Sequence, residues 1–91
     1  MTTAIVLMKV ARKEINNVAE ELAELKSISE VYSVSGKYDL VAIIRVKNND
    51  DLSVFVTKEL AVINSIIETE TMLAFKAYSR HDLEAMFDIG N

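Results

Sequence analysis

The amino-acid sequence predicts an α+β fold, in which a four-stranded antiparallel sheet carries two helices on one face in the order βαββαβ. Apolar, β-branched runs alternate with stretches of helical periodicity along the chain. Residues 22–30 also echo residues 60–68, with five of nine positions identical, at the helix-to-strand junction of each half. Right-handed crossovers then place both helices on the same face of the sheet. Such a split βαβ repeat is the ferredoxin-like arrangement.

The first half of the chain supplies a strand, a helix and a second strand. Residues 3–10 are apolar and β-branched and predict the first strand. Residues 13–26 predict a helix, because apolar residues recur there every three or four positions. Those apolar residues are Ile15, Val18, Leu22 and Leu25. Residues 28–34 predict the second strand.

The second half repeats the pattern after a turn at residues 35–37. Residues 38–46 predict the third strand, and Asp50 or Asp51 is expected to cap the second helix. The apolar residues of that helix are Leu52, Phe55, Val56, Leu60 and Ile63. Residues 66–77 predict the fourth strand. A short amphipathic helix is expected over residues 80–87, with Leu83, Met86 and Phe87 on one side.

The composition indicates one domain over residues 1–91 that associates with other copies. A chain of 91 residues buries only about 60–70% of its unfolded surface. Its hydrophobic fraction is nevertheless 51%, above the roughly 45–50% of average domains. The strand runs 5–8 and 40–44 are apolar without a break, although two helices can cover only one sheet face. We therefore expect two subunits to pack sheet to sheet. The alternative is that the C-terminal tail covers the sheet face that the helices leave uncovered.

The charge and the residue usage exclude several classes of protein. The formal net charge is −4 and the basic residues are scattered, so we expect no direct binding to nucleic acid. The chain lacks cysteine, and no apolar run approaches the roughly 20 residues of a membrane helix. We expect a cytoplasmic protein that does not contact the membrane.

The sequence offers little equipment for catalysis. The single histidine, His81, precedes Asp82 and could be a general base, but a residue at a helix start is the favoured interpretation. No Gly-rich phosphate loop and no metal-ligand spacing occurs. We expect no catalytic residue, no metal and no cofactor, and hence no enzyme.

Two short polar segments stand apart from the apolar strands. Residues 35–39, Ser-Gly-Lys-Tyr-Asp, combine a glycine suited to a positive φ with a carboxylate at the start of a strand. They predict either a ligand-binding loop or a simple hairpin turn capped by Asp39. Thr69 and Thr71 lie on the same strand face, two residues apart; taken alone, they fit an edge strand with a polar face.

Together, the two segments resemble the hallmarks of the Lrp/AsnC ligand-binding domain, also called the RAM domain. Residues 30–41 are similar to its Val-x-Gly-x-Tyr-Asp-(Leu/Ile) turn, and residues 67–71 to its Thr-x-Thr signature. The similarity extends over about residues 3–78. Unlike many members, this chain has Ser27-Ile28 and Ser65-Ile66 where Pro-Gly is common.

The resemblance implies a dimer with α/β-barrel-like association, assembled further into a ring, that binds an amino-acid effector between dimers. Gly36 would expose backbone N–H groups to the ligand carboxylate, Asp39 would take the α-ammonium group, and Tyr38 would help wall the pocket. Ser35 is a further ligand-binding candidate in the same turn. Thr69 and Thr71 would contribute hydroxyls from an adjoining dimer. The chain has no room for the helix-turn-helix domain of full-length members, so the resemblance implies a stand-alone module, with full-length Lrp/AsnC regulators as candidate partners.

Two other functions stay open from the sequence. One is a dimeric ferredoxin-like enzyme of the monooxygenase or isomerase type, in which His81 or Tyr32 would perform the chemistry. The other is an oligomerisation adaptor with an unused pocket. The favoured hypothesis is an oligomeric amino-acid-binding domain that regulates transcription or amino-acid metabolism indirectly.

Overall fold

The computed structural model describes residues 1–78 and residue 80, and over these it confirms the predicted ferredoxin-like order. The elements are β1 (Thr2–Val10), α1 (Ile15–Ala23), β2 (Ile28–Ser33), β3 (Leu40–Val46), α2 (Asn49–Val54) and β4 (Ile66–Ala74). A 3₁₀ turn at Arg12–Glu14 precedes α1, and a π-helical turn at Phe55–Leu60 extends α2. The predicted C-terminal helix lies, apart from Arg80, outside the described residues, as does His81. None of the helices in the described part of the chain is long and apolar enough to cross a membrane.

The four strands form one antiparallel sheet in the order β2-β3-β1-β4. Helix α1 packs over β2 and β3, and α2 packs over β1 and β3. Both helices therefore lie on the same face, as the crossover rule requires. Strand β4 is left at an edge, and its central residues are exposed on both faces.

Burial alternates along the two central strands. In β1, Ala4, Val6 and Met8 are completely buried beneath the helices, whereas Ile5 and Leu7 are only half-buried on the other face. Strand β3 shows the same alternation. The core consists of Ala4, Val6, Met8, Val10, Val18, Leu22, Ile28, Leu40, Ala42, Ile44, Val46, Phe55, Leu60 and Ile63.

The face of the sheet opposite the helices, here called the open face, is also apolar. The cross-strand register places Ile5 beside Ile43 of β3 and Met72 of β4, and Leu7 beside Val41. Met72 is 42% exposed. The expectation that the strands are apolar on both faces is thus confirmed, and neither α1 nor α2 covers this face.

The second helix departs from ideal α geometry because of the spacing of its apolar residues. Phe55 and Leu60 are both buried although they lie five positions apart. In an α-helix of 3.6 residues per turn, such residues point in directions about 140° apart. A turn closed by i→i+5 hydrogen bonds returns the chain to nearly the same side after five residues. The π-helical turn therefore lets both side chains enter the core.

Several predicted boundaries were wrong, among them those of α1, which spans Ile15–Ala23 and not residues 13–26. Asn48, and neither Asp50 nor Asp51, caps α2: its Oδ1 atom accepts a hydrogen bond of 2.8 Å from the backbone N–H of Asp51. Strand β4 ends at Ala74, three residues before the predicted end, because Ala74 pairs with Thr3 and β1 begins at Thr2. Strand β3 begins at Leu40 and not at residue 38, because the side chain of Asp39 takes the place of a backbone partner of β1.

The contribution of the helical layer can be measured with a matched pair of substitutions. Val18 in α1 is buried and Val54 in α2 is 49% exposed. Val18→Ala should lower the free energy of unfolding by about 2 kcal/mol through lost burial and a residual cavity. Val54→Ala makes the same change in helix propensity but should alter stability by less than about 0.5 kcal/mol. Urea unfolding of both variants checks this, and equal losses would contradict the assigned burial.

Candidate ligand-binding site

Asp39 is tied to strand β1 through both its backbone and its side chain. Its backbone N–H donates to the Met8 carbonyl at 2.8 Å, and its Oδ2 atom accepts from the backbone N–H of Val10 at 2.9 Å. The carboxylate thus occupies the position where a further residue of β3 would pair with β1. This substitution of a side chain for a strand partner explains why β3 begins only at Leu40.

The loop over residues 34–39 closes tightly on this anchor. The backbone N–H of Val34 donates to the Asp39 carbonyl at 3.0 Å. Gly36 adopts φ +114°, and a Cβ atom there would meet no heavy atom within 4 Å. The requirement for glycine is therefore conformational, since the surrounding space is open and side-chain-bearing residues rarely adopt this φ.

Beside the loop lies a cleft of about 300 Å³, here called the hairpin cleft. It is formed where β1 ends, the 3₁₀ turn begins and β4 starts. Of the sequence-predicted site residues, it brings together Gly36 and Asp39. The lining residues are Lys9, Val10, Arg12, Ile15, Gly36, Lys37, Asp39 and Ile67.

A β-bulge shapes the far wall of the hairpin cleft. Lys9 pairs with Glu68 and Val10 with Ile66, so Ile67 is an extra residue without an opposite partner. Bulges of this kind redirect a side chain and often accompany binding sites. Ile67 is 70% exposed and lines the cleft, which gives the cleft an apolar wall on the strand that carries the threonines.

Tyr38 connects the loop to the edge strand. Its hydroxyl donates to Oε2 of Glu70 at 3.0 Å, and Lys37 Nζ lies 5.9 Å from the centre of its ring. The hydrogen bond to the Glu70 carboxylate, followed by partial burial and the nearby charges of Glu70 and Glu68, raises the pKa of the Tyr38 phenol above its usual 10.0. Tyr38 is therefore a protonated donor at neutral pH.

The two threonines share a face, as the strand period predicts. Thr69 pairs with Met8 and Thr71 with Val6, and both of those partners point into the core. Thr69 and Thr71 thus lie on the helix side of β4, where both are exposed. Thr69 lines a separate cleft of about 200 Å³ between β4 and the π-helical turn.

Within one chain, the two predicted segments do not meet. Glu70, the partner of Tyr38, pairs with Leu7 and so lies on the open face, opposite to the threonines. Ser35 is exposed and lies outside the lining of the hairpin cleft. The structure therefore brings Gly36 and Asp39 together, attaches Tyr38 to Glu70, and leaves Ser35, Thr69 and Thr71 apart from them.

Several residues of this region were missed in the sequence. Lys9, Arg12 and Lys37 all line the hairpin cleft, although they come from three different segments of the chain. Glu70 stands between the two threonines and pairs with Tyr38. The only signal that could have indicated them is antiparallel register, which places the end of β1 beside the start of β3. In the described part of the chain, no group of three or more His, Cys, Asp or Glu side chains could hold a metal ion.

Sequence comparison assigns the architecture to a family. A family model described as the Lrp/AsnC ligand binding domain matches residues 3–83. The chain belongs to this family. The Gly36-to-Asp39 loop and the Thr69/Thr71 pair are the two segments that resemble the sequence motifs of this family.

Solved and curated relatives support the assignment. The crystal structure of TTHA0845 from Thermus thermophilus is 42% identical, superposes with a TM-score of 0.81, and is matched over 88% of this chain and 100% of that chain. The HTH-type transcriptional regulator FL11 of Pyrococcus abyssi is 40% identical over 78 residues, which is 82% of this chain and 49% of the regulator. The chain therefore spans about half the length of that Lrp/AsnC relative.

A more distant structure shares the fold alone. The crystal structure of the transcriptional regulator NMB0573/L-Met complex from Neisseria meningitidis is 12% identical, with a TM-score of 0.77 over 87% of this chain and 53% of that chain. The Lrp/AsnC fold is thus retained where little sequence similarity is left.

The anchoring role of Asp39 predicts different effects for two substitutions. Asp39→Ala should cost about 1–3 kcal/mol of folding free energy, because the part-buried N–H of Val10 loses its acceptor. Asp39→Asn keeps a side-chain oxygen for that N–H and should retain most of the stability. Thermal and urea unfolding measure both variants; equal destabilisation by the two substitutions would show that the negative charge, and not the hydrogen bond, supports the loop.

Proposed function

We propose that this Lrp/AsnC domain is an oligomeric amino-acid sensor whose ligand binds at the hairpin cleft. In this proposal Asp39 accepts the α-ammonium group, and the backbone at Ser35 and Gly36 receives the carboxylate. Tyr38 borders the site. Thr69 and Thr71 of another subunit complete it.

The position of the Asp39 carboxylate is the observation that carries this proposal. Oδ2 accepts from Val10 N–H, whereas Oδ1 accepts no hydrogen bond from the residues that the structure describes. One oxygen therefore fixes the side chain and leaves the other at the cleft for a charged donor. A fixed carboxylate next to a glycine backbone suits a zwitterion, because ammonium and carboxylate groups require opposite partners.

Participation of a second chain is supported by two features. Thr69 and Thr71 lie outside the lining of their own chain's hairpin cleft, on the opposite sheet face from Glu70, the partner of Tyr38, which favours completion of the site by the threonines of a second copy. The open face provides apolar surface for a first association of copies. The complex of NMB0573 with L-Met, which shares the fold, is compatible with an amino acid as ligand.

The proposal includes regulation without catalysis and without direct contact with DNA. The curated relatives are named transcriptional regulators, which supports a regulatory role. Tyr32, the candidate of the enzyme hypothesis within the described residues, lies 48% exposed on edge strand β2 with its hydroxyl bonded to Glu30. The net charge of −4 opposes binding to a phosphate backbone. Full-length Lrp/AsnC regulators are the proposed protein partners.

Ligand binding can be tested with thermal unfolding in the presence of each of the twenty amino acids. A ligand at a hundred times its dissociation constant should stabilise the folded state by about 2.7 kcal/mol. We expect a shift with a small subset, loss of that shift in Asp39→Asn, and a change in assembly size by light scattering. If none of the twenty amino acids shifts the unfolding temperature of a stable oligomer, amino-acid sensing is contradicted and the oligomerisation adaptor is favoured.

Association through the open face can be tested with a matched pair of charges. Met72→Lys places an ammonium group on the open face, and Val62→Lys places one on a 70% exposed side chain outside the sheet. The first variant should weaken self-association by roughly tenfold or more, because a charge buried without a partner is costly; the second should not. Sedimentation velocity reports the assembly, and circular dichroism confirms folding. Unchanged association of Met72→Lys would exclude the open face as the interface.

A further inference from the structure

The hairpin cleft has an unusual balance of charge for this chain. Its lining contains three cations, Lys9, Arg12 and Lys37, and a single carboxylate, that of Asp39; Glu68, which pairs with Lys9 across the strands, lies outside the lining. The chain as a whole carries ten basic and fourteen acidic residues. An excess of positive charge in a cleft of an acidic protein raises the local concentration of anions.

A larger cleft in the described part of the chain has a smaller imbalance. It has a volume of about 460 Å³ and lies at the other end of the sheet, where Lys26, Arg45 and Lys47 are opposed by Asp51 and Glu59. Three cations there face two carboxylates, whereas in the hairpin cleft they face one. That one carboxylate already accepts a hydrogen bond from Val10. The hairpin cleft is thus the site with the greater unbalanced positive charge.

A neutral amino acid does not use this charge. Its zwitterion adds one ammonium and one carboxylate group, so the excess of two positive charges in the lining would stay unchanged. A second carboxylate on the ligand reduces the excess by one. The planar guanidinium of Arg12 is suited to hold it, because it presents two parallel donors to a carboxylate.

We propose that the ligand of the hairpin cleft is a dicarboxylic amino acid of the aspartate or glutamate type. The inference rests on the proposed function, since it assigns the α-ammonium group to Asp39 and the α-carboxylate to the Gly36 backbone. The side-chain carboxylate lies toward Arg12 and Lys9. The methylene groups contact the apolar wall formed by Ile15 and Ile67. A volume of about 300 Å³ is at the small end of ligand sites, as a small metabolite requires.

The first experiment compares acids with their amides by isothermal titration calorimetry of the wild-type oligomer. Glutamate and glutamine have nearly the same shape and differ by one negative charge, as do aspartate and asparagine. We expect the better acid to bind at least roughly tenfold more tightly than its amide. Added salt should reduce this preference, because it screens the exposed cations. An amide that binds as tightly as its acid would overturn the inference.

The second experiment uses neighbouring residues as a matched pair. Arg12 and Lys13 belong to the same 3₁₀ turn, but only Arg12 lines the hairpin cleft. Arg12→Gln should weaken binding of the acid roughly tenfold and leave amide binding unchanged. Lys13→Gln should change acid affinity by less than about twofold. Equal losses in the two variants would show that general surface charge, and not a site, attracts the ligand.

The inference and the proposed function fail in distinguishable ways. If a neutral amino acid binds best and loses affinity in Asp39→Asn, the dicarboxylic assignment is wrong while amino-acid sensing stands. Glutarate supplies two carboxylates without an ammonium group. If glutarate binds through Arg12 while no amino acid binds, sensing of amino acids and the role of Asp39 are both overturned. If none of these ligands binds, the inference and the proposed function are overturned together.

Discussion

Two helices can cover only one face of a four-stranded sheet, and this limit governs the rest of the molecule. Strands β1 and β3 are apolar on both faces, so the alternation that buries Val6 beneath the helical layer leaves Leu7 beside Val41 on the open face. At the edge, β4 is only partly covered by the helical layer, and its Thr69 and Thr71 are exposed. The apolar face and the polar edge are therefore consequences of the same shortage of helices.

Prediction from sequence succeeded where a local period decides the outcome. Strand alternation, the helical repeat of α1 and the crossover rule together determine the sheet and the position of both helices. Prediction failed where a single side chain replaces a backbone partner. The Asn48 cap was missed because three neighbouring polar residues offer equivalent acceptors, and the start of β3 was missed because the Asp39 carboxylate pairs with Val10.

The candidate site could be predicted only in part, for a related reason. Gly36 and Asp39 are close together in the chain, and their roles as turn and anchor follow from their residue types. Lys9 and Arg12 come close to them only because of the register of β1 against β3. Ile67 joins the cleft through a β-bulge, and no pattern in the sequence predicted that bulge. The positive charge of the cleft arises only when the chain folds, because its cations lie on three separate segments that meet at one end of the sheet.

The division of the two segments between opposite faces has a consequence for how the domain responds. In the proposed site, a ligand that reaches both the Asp39 loop and the threonines bridges two copies of the chain. Ligand affinity and the affinity of one copy for another are then reciprocally coupled, so each rises by the same factor when the other partner is present. The fraction of such a domain that is assembled and bound to ligand therefore depends on two concentrations, that of the protein in the cell and that of the metabolite.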